Sequence, residues 1–338
     1  MESAPPPNFT LEDLKLSSVL NRGRYSEVWK GLLNDQEVAV KIYSANYKQH
    51  FTNEKNIYSL PFMEHDSLLQ FYGSDERLSQ DGNMQYMLIL TYIPTGSLFS
   101  YLKHNTVDWS TLCKMCISFT RGLAHLHNDI TKGDQFKPAV AHRDFNSRNI
   151  LVRSDLSCVV ADLGFSMSAM GSKLIRNGHS ENAEQTSLTD VGTLRYMAPE
   201  LLDGAVNLRD CEASLKQIDI YALGLVLWEV ATRCIDLYQG APVPDYMLPY
   251  QAEAGIHPTF EQLQLLVCRN KTRPKFSEIW KDTNQAVRSL RETMDDCWDA
   301  DADARLTVLC VEERLSDMIM MWAQDSKHRA IITTGIKI

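Results

Sequence analysis

The sequence predicts an α+β fold in two lobes, a small antiparallel β-sheet lobe carrying one main helix and then a larger, mainly α-helical lobe. Three observations predict it. Short segments of alternating apolar and polar residues crowd the stretch from Leu14 to Tyr92. After Pro94-Thr95-Gly96 the apolar spacing changes to the i, i+3, i+4 rhythm of helices. The length of 338 residues is about twice that of a usual single domain, which suits one large bilobed unit or two domains.

Residues 1–11 read as an extended lead-in, because Pro5, Pro6 and Pro7 resist helix. Strands are expected at Lys15 to Leu20, Tyr25 to Leu32, Glu37 to Tyr43, Leu69 to Gly73 and Tyr86 to Leu90. One helix interrupts them, Tyr47 to Leu60, stopped by Pro61. In the second lobe the amphipathic spacing predicts helices over Ser97 to Lys103, Trp109 to His127, Ile218 to Arg233, Thr259 to Cys268, Gln285 to Trp298 and Thr307 to Gln324. Gly171 to Thr189 is polar and aperiodic, as expected of a mobile surface loop. Residues 323–338 carry no interpretable pattern.

Composition narrows the function classes. With 44% hydrophobic and 23% charged residues the chain has the apolar stock for a true core, so wholesale disorder is excluded. The net charge of −9 offers no basic field for a phosphate backbone, which argues against nucleic acid as a partner. The longest apolar run, Ile220 to Trp228, is far too short to cross a bilayer, which needs about twenty residues. Met1 to Thr10 lacks an apolar signal core, so the chain is expected to be soluble and not secreted. The cysteines sit mostly in apolar segments and read as reduced thiols; Cys113 and Cys116 form a C-x-x-C without a second ligand pair at zinc spacing, and read as core residues.

Chemistry concentrates in four runs. Leu20-Asn21-Arg22-Gly23-Arg24-Tyr25-Ser26-Glu27-Val28 stands where a strand-turn-strand would cover phosphates with its backbone amides. Only Gly23 remains of three expected glycines. Asn21, which tolerates positive φ, and the small Ser26 replace the others and are expected to let the loop close. Val38-Ala39-Val40-Lys41 ends an alternating strand with an ammonium aimed at ligand phosphates, and Glu54 follows at the spacing of a lysine–glutamate pair.

The most specific signal is Ala141-His142-Arg143-Asp144-Phe145-Asn146-Ser147-Arg148-Asn149, followed by the strand Val159-Val160-Ala161 and then Asp162-Leu163-Gly164. Phosphoryl transfer needs a group to take a hydroxyl proton, as Asp144 can, and oxygen ligands for a hard divalent cation, as Asn149 and Asp162 can. Lys41 and Asp144 are both expected to lie in a solvated cleft. Gly192-Thr193-Leu194-Arg195-Tyr196-Met197-Ala198-Pro199-Glu200 has the form of a substrate-docking segment, and Glu200 needs a buried cation, for which Arg305 is the candidate. Asp219 opens the predicted apolar helix, as an N-cap that could also bind the backbone beneath His142 and Arg143.

Further runs are Asn53-Glu54-Lys55-Asn56-Ile57-Tyr58, Met63-Glu64-His65-Asp66, the insert Lys132-Gly133-Asp134 to Lys137-Pro138, Gly204-Ala205-Val206-Asn207-Leu208-Arg209-Asp210-Cys211-Glu212 and His257-Pro258-Thr259-Phe260-Glu261. On these and the motifs above, residues 12–322 resemble a eukaryotic protein kinase domain, with small lobe about 12–92 and large lobe about 97–322. Within that superfamily the chain is similar to the type II receptors of the transforming growth factor-β superfamily, most closely those for bone morphogenetic proteins. The resemblance implies a two-lobed protein kinase fold and an ATP-dependent serine/threonine kinase using Mg²⁺ or Mn²⁺. It also implies the cytoplasmic half of a single-span plasma-membrane receptor, with residues 1–11 as juxtamembrane lead-in and 323–338 as tail. Such receptors phosphorylate a type I receptor within a ligand-assembled complex.

By position, the resemblance makes Lys41 the phosphate ligand, Glu54 its partner, Asp144 the base, and Asn149 and Asp162 the metal ligands. The backbone near Tyr92 and Ile93 would bind adenine behind a gatekeeper at Leu90. Leu20, Asn21, Gly23, Ser26, Val28, Ala39 and Leu151 would complete the nucleotide site. Asn146 stands where most serine/threonine kinases carry lysine, as it does in the bone morphogenetic receptors, and Arg148 offers a cation two residues on. Leu163 replaces the usual phenylalanine. A pseudokinase scaffold, suggested by the glycine-poor loop, and a tyrosine or dual-specificity kinase, suggested by Asn146 and Arg148, are the alternatives. Arg143 is expected to be answered by Glu181, Glu184 or Asp190 without phosphorylation of Thr186, Ser187 or Thr189.

Overall fold

The computed structural model describes residues 13–79, 81–176, 178–183, 192–280 and 284–335. Five antiparallel strands, β1 (Lys15–Arg22), β2 (Ser26–Leu33), β3 (Gln36–Ser44), β4 (Phe71–Leu78) and β5 (Met84–Thr91), form one sheet in the order β1-β2-β3-β5-β4. Its period-two pattern sorts side chains strictly. Val38, Val40 and Ile42 join Leu14, Leu33, Met87 and Ile89 in one apolar cluster. Ala39, Tyr43, Leu88 and Leu90 belong to the other, together with Phe51, Ile57 and Tyr58 of helix α1 (Lys48–Tyr58). Lys41 has the parity of the second set, so it projects towards α1; a one-residue slip would turn it away.

β4 begins two residues later and ends five later than expected. Its second half, Ser74-Asp75-Glu76-Arg77, has no apolar alternation because it runs along the edge of the sheet, where charge prevents unwanted pairing.

The large lobe is built on helices α2 (Leu98–His104), α3 (Trp109–His127), α4 (Pro199–Leu202), α5 (Cys211–Ala231), α6 (Gln251–Ala254), α7 (Phe260–Leu263), α8 (Gln285–Cys297) and α9 (Val308–Gly335). Cys113 and Cys116 are both buried on α3. α5 starts at Cys211, capped by the Asp210 carboxylate accepting from the Ala213 amide, so Asp219 is interior to the helix and not its cap. An amphipathic period fails there because nearly every side of the helix beyond Ile218 is buried. α7 passes into a π turn over Gln264–Arg269. No described helix is long and apolar enough to cross a membrane.

Four short sheet elements frame the site. β6 (Ile130–Lys132) and β7 (Gln135–Lys137) turn through Gly133, φ 59°, and Asp134. Lys137 is completely buried and its ammonium donates to Leu126, Asn128 and Pro138 carbonyls at 3.0, 2.6 and 3.2 Å, closing the C-terminus of α3. β9 (Ile150–Val152) pairs with β10 (Cys158–Val160).

Of the region expected to be a mobile loop, the described residues 171–176 and 178–183 are instead mostly sheet and its turns. β11 (Met167–Met170), β12 (Lys173–Arg176) and β13 (His179–Asn182) extend β8 (Ala139–Ala141) in the order β13-β12-β11-β8. Gly171 and Gly178 take positive φ at the two turns and Leu174 is fully buried, which polar composition alone concealed. Glu184, Thr186, Ser187, Thr189 and Asp190 lie outside the described residues, and Glu181 is exposed on β13.

Glu200, in α4, meets Arg305 in a two-pronged pair, Nη1–Oε1 2.7 Å and Nη2–Oε2 2.8 Å, with the arginine side chain fully buried. Removing one partner of a buried pair strands the other charge, at about 3–5 kcal/mol. Arg305→Ala is therefore expected to lower the urea-unfolding free energy by about that amount, and Arg305→Lys to recover only part, since an ammonium cannot reproduce the fork. An unfolding midpoint within error of wild type for Arg305→Ala would refute the assignment.

Candidate active site

The cleft between the lobes is organised by a buried ion cluster. The Lys41 ammonium donates to Glu54 Oε2 and to Asp162 Oδ1, both at 2.8 Å. Lys41 is only 5% exposed, so the expectation of a solvated lysine is corrected; its side chain lies on the sheet face that packs against α1. Glu54 is fully buried and takes two further donors, the Tyr43 hydroxyl and the Leu163 amide at 3.0 Å. Burial opposes the charge on Lys41, but Asp162 and Glu54 outweigh it and hold the ammonium well above the ordinary lysine range. Burial likewise opposes ionisation of Asp162, and Lys41 reverses the balance and lowers it.

Gly164 has a specific task here. A β-carbon at this position would lie 3.2 Å from Asp162 Oδ1 and 3.4 Å from the Tyr43 hydroxyl, so glycine keeps the cluster closed. Asn53, one residue before Glu54, donates to the Gly164 and Ser166 carbonyls at 3.0 Å each, tying α1 to the segment that carries Asp162.

The loop from His142 to Asn149 is held from below. Asp219 accepts from the His142 and Arg143 amides at 2.7 and 2.8 Å, and hydrogen bonds to His127 Nε2 at 2.8 Å. This support pins Arg143 at φ 67°, while Asp162 is held at φ 59°; two non-glycine residues in the left-handed region flank the reactive loop. His142 Nε2 lies 2.9 Å from the Ala161 carbonyl, linking loop and strand.

Asp144 is the centre of the polar network. Its Oδ1 accepts from the Thr193 amide and hydroxyl, both at 2.7 Å, and from Asn146 Nδ2 at 3.0 Å; its Oδ2 accepts from Asn149 Nδ2 at 3.0 Å. Burial raises the Asp144 carboxyl above the ordinary aspartate range, and hydrogen bonds from Thr193 work against the rise. Asn146 also reaches Thr193 Oγ1 at 3.3 Å, so it bridges the loop to the docking segment. The Arg148 guanidinium lies over the Phe99 ring, 3.6 Å from its centroid, on the α2 side of the cleft.

Above, the β1–β2 hairpin pairs Asn21 with Val28 and Arg22 with Glu27, and the Gly23 amide donates to the Ser26 carbonyl at 2.9 Å. None of Asn21, Gly23 and Ser26 has positive φ. The expectation that Asn21 serves by tolerating left-handed backbone is corrected, because the tight antiparallel turn needs none. Val28 pairs with Lys41 and Ala39 with Leu90 in the sheet, and Val28, Tyr92, Ile93 and Leu151 pack partly buried against the main core, while Leu20 is 44% exposed.

The residues fit a nucleotide with a divalent cation. One ammonium faces two carboxylates, leaving negative charge for a cation to answer. Asn149 Oδ1 and Asp162 Oδ2 accept no hydrogen bond among the described residues. Two oxygen ligands with substrate phosphates and water are the usual set for Mg²⁺.

Sequence reasoning missed Tyr43, Asn53 and the carboxylate under the docking segment. Glu229, fully buried on α5, accepts from Tyr196 at 2.5 Å and from Tyr246, and the Tyr196 hydroxyl is 3.3 Å from Ser147 Oγ. A lone glutamate closing an apolar run was its only signal.

A bilobed chain with this ion cluster, held loop and docking segment defines a protein kinase domain. Residues 14–315 match the protein tyrosine and serine/threonine kinase family, and the chain belongs to it. It is 42% identical over 315 residues to activin receptor type-2A of Gallus gallus, covering 93% of this chain and 58% of that protein. It is 42% identical over 316 residues to activin receptor type-2B of Xenopus laevis (93% and 59%) and 41% identical over 315 residues to activin receptor type-2A of Homo sapiens (93% and 58%). The chain thus spans rather more than half the length of these curated relatives, and is homologous to type II receptors of the transforming growth factor-β superfamily.

Burial raises the Glu229 carboxyl from 4.5 to about 7, against the hydrogen bonds from Tyr196 and Tyr246. An acid whose folded pKa exceeds its unfolded one binds its proton more tightly when folded, so its contribution is full below about 4.5 and is lost as pH rises through about 7. The unfolding free energy of wild type minus that of Glu229→Gln should therefore fall by about 3 kcal/mol between roughly pH 4.5 and 8. A difference that stays flat across that range, measured by urea titration, would contradict the assignment.

Proposed function

We propose that this chain is the catalytic domain of a receptor serine/threonine kinase that transfers the γ-phosphate of ATP to serine or threonine of a type I receptor. The observation that carries the proposal is the Thr193 hydroxyl seated on Asp144 Oδ1 at 2.7 Å, the approach a short acceptor hydroxyl would make to a base. In this assignment Asp144 takes the hydroxyl proton, Lys41 holds phosphate oxygens with Glu54 fixing its position, and Asn149 and Asp162 hold Mg²⁺ or Mn²⁺. The bound cation supplies neutralisation of charge between the β- and γ-phosphates. Asn149 also steadies Asp144 through its amide. The apolar walls at Val28, Ala39, Leu90 and Leu151, with Leu20 at the rim, would enclose adenine, and the backbone near Tyr92 and Ile93 would pair with it.

The intact cluster of Lys41, Glu54 and Asp162 speaks against a pseudokinase. Arg148, whose guanidinium lies over Phe99, offers a cation two residues beyond Asn146, and Asn146 itself contacts Asp144 and Thr193. Asn146 also supports a place among the bone morphogenetic branch of type II receptors. The longer parent protein would carry the ligand-binding and membrane segments, with this domain on the cytoplasmic side of the plasma membrane in a ligand-assembled complex.

Asp144→Asn keeps the size of the side chain but puts an NH2 where one accepting oxygen stood and cannot take a proton, so turnover should fall at least about a hundredfold with the fold retained. Lys41→Arg should abolish transfer too, and should also lower stability by about 1–3 kcal/mol, because the larger head is forced into a closed cluster. With labelled ATP, Mg²⁺ or Mn²⁺ and a type I receptor fragment, phosphoamino-acid analysis should show phosphoserine and phosphothreonine. Dominant phosphotyrosine, or a tenth of wild-type turnover surviving in Asp144→Asn, would sink the proposal.

A further inference from the structure

The reactive loop carries an exposed cation that answers no anion of the chain. Arg148 stands between the buried Ser147 and Asn149, whose amide reaches Asp144. Among the described residues its guanidinium enters no ion pair and donates no hydrogen bond. It is nevertheless held. The guanidinium lies over the Phe99 ring with its carbon 3.6 Å from the centroid, a contact of cation and ring face. Phe99 is fixed in turn: its amide donates to the Ser147 carbonyl at 2.9 Å, and its ring stands edge-on to Tyr246 (centroids 5.5 Å, 82°). The Tyr246 hydroxyl donates to Glu229, which also accepts from Tyr196 of the docking segment.

A separation of 3.6 Å admits only a flat approach, because an edge-on guanidinium would drive its nitrogens into the ring. The N–H donors of arginine all lie in the guanidinium plane, so the ring consumes none of them. Arg148 thus presents a pre-set fork at the surface, the shape that a carboxylate matches with two parallel hydrogen bonds. Two anions come near this loop during transfer, the nucleotide phosphates and the acceptor polypeptide. In the assignment above the phosphates are met by Lys41 and by the cation on Asn149 and Asp162. The bracing of Arg148, by contrast, runs through α2 and Tyr246 to the carboxylate that also supports Tyr196 in the docking segment. Its place is therefore on the acceptor's side. The net charge of −9 does not oppose an acidic acceptor, since charges beyond about 8 Å are screened at physiological salt and the nearest cation decides.

We propose that Arg148 is a specificity-determining residue whose fork takes a carboxylate of the acceptor polypeptide, so that the kinase selects serine or threonine with an aspartate or glutamate close by in sequence. Phe99 is a positioning residue that holds the guanidinium flat, so less side-chain freedom is lost on contact. The proposal deepens, and rests on, the kinase function above, and it narrows the substrate to acidic segments.

Steady-state phosphorylation of serine peptides by the whole chain tests it, each peptide carrying a single aspartate, alanine or lysine at one position, moved in turn along both sides of the acceptor. At one position at least, wild-type kcat/KM should be about fivefold or more higher for aspartate than for alanine, and lowest for lysine. Arg148→Glu should invert that order at the same position, and Arg148→Gln should flatten it. Phe99→Ala should shrink the preference, while Phe99→Tyr, which keeps the ring, should retain it. The proposal is overturned if wild type prefers aspartate nowhere, if Arg148→Glu leaves the preference in place, or if Phe99→Ala leaves it undiminished. It is also overturned if Arg148→Gln raises KM for ATP and slows every peptide equally, the mark of a phosphate ligand. Transfer of label to neither the peptides, nor a type I receptor fragment, nor the chain itself would instead overturn the kinase function, and this proposal with it.

Discussion

The contact of one buried ammonium with two carboxylates, Glu54 fully buried and Asp162 at the cleft surface, is the constraint on which the rest of the structure depends. Lys41 comes from the sheet, Glu54 from α1 and Asp162 from the loop after β10, so one cluster fixes three elements of both lobes at once. Burying Lys41 and Glu54 is costly, and is offset because the two meet at hydrogen-bond distance and because the Tyr43 hydroxyl and the Leu163 amide also donate to Glu54. A cluster so made tolerates little displacement. Separating Lys41 from Glu54 would leave a fully buried carboxylate without its cation.

The second support is Asp219, which holds two consecutive amides of the loop from inside α5. Holding Arg143 in a left-handed conformation is unfavourable for a residue with a β-carbon, and the two short hydrogen bonds from below offset that strain. The consequence reaches Asp144, the next residue, whose carboxylate is thereby presented upward to Asn146, Asn149 and Thr193. Rigid helix, strained loop and presented carboxylate form one mechanical chain. Glu229, two turns and more along the same helix, supports Tyr196 in the facing segment.

The departures from the usual kinase pattern are compensated by neighbours. Leu163 in place of phenylalanine is almost wholly buried in the main core, to which α1 and the sheet also contribute the rings of Tyr58 and Tyr43. Asn146 in place of lysine spends its amide on Asp144 and Thr193. The glycine-poor hairpin closes without positive φ and has its tip among rings. In each case a function assigned elsewhere to one residue is shared among contacts.

The sequence by itself determined the two lobes, because alternation and helical spacing are properties of neighbours along the chain; the range expected for α3, Trp109 to His127, coincides with the helix observed. It also singled out the residues proposed to carry the chemistry, through the spacing of His142-Arg143-Asp144, Asn149 and Asp162 and the alternation that ends at Lys41. Only the tertiary structure decided that Asp219 lies inside a helix, that Met167–Met170, Lys173–Arg176 and His179–Asn182 form strands, that Glu229 sits under Tyr196, and that Tyr25 packs on His50 and Phe165. Those outcomes depend on partners far apart in the chain, as with Lys41 and Asp162 at a separation of 121 residues. Local periodicity records how a segment sits on a surface; it holds no record of which distant segment supplies that surface.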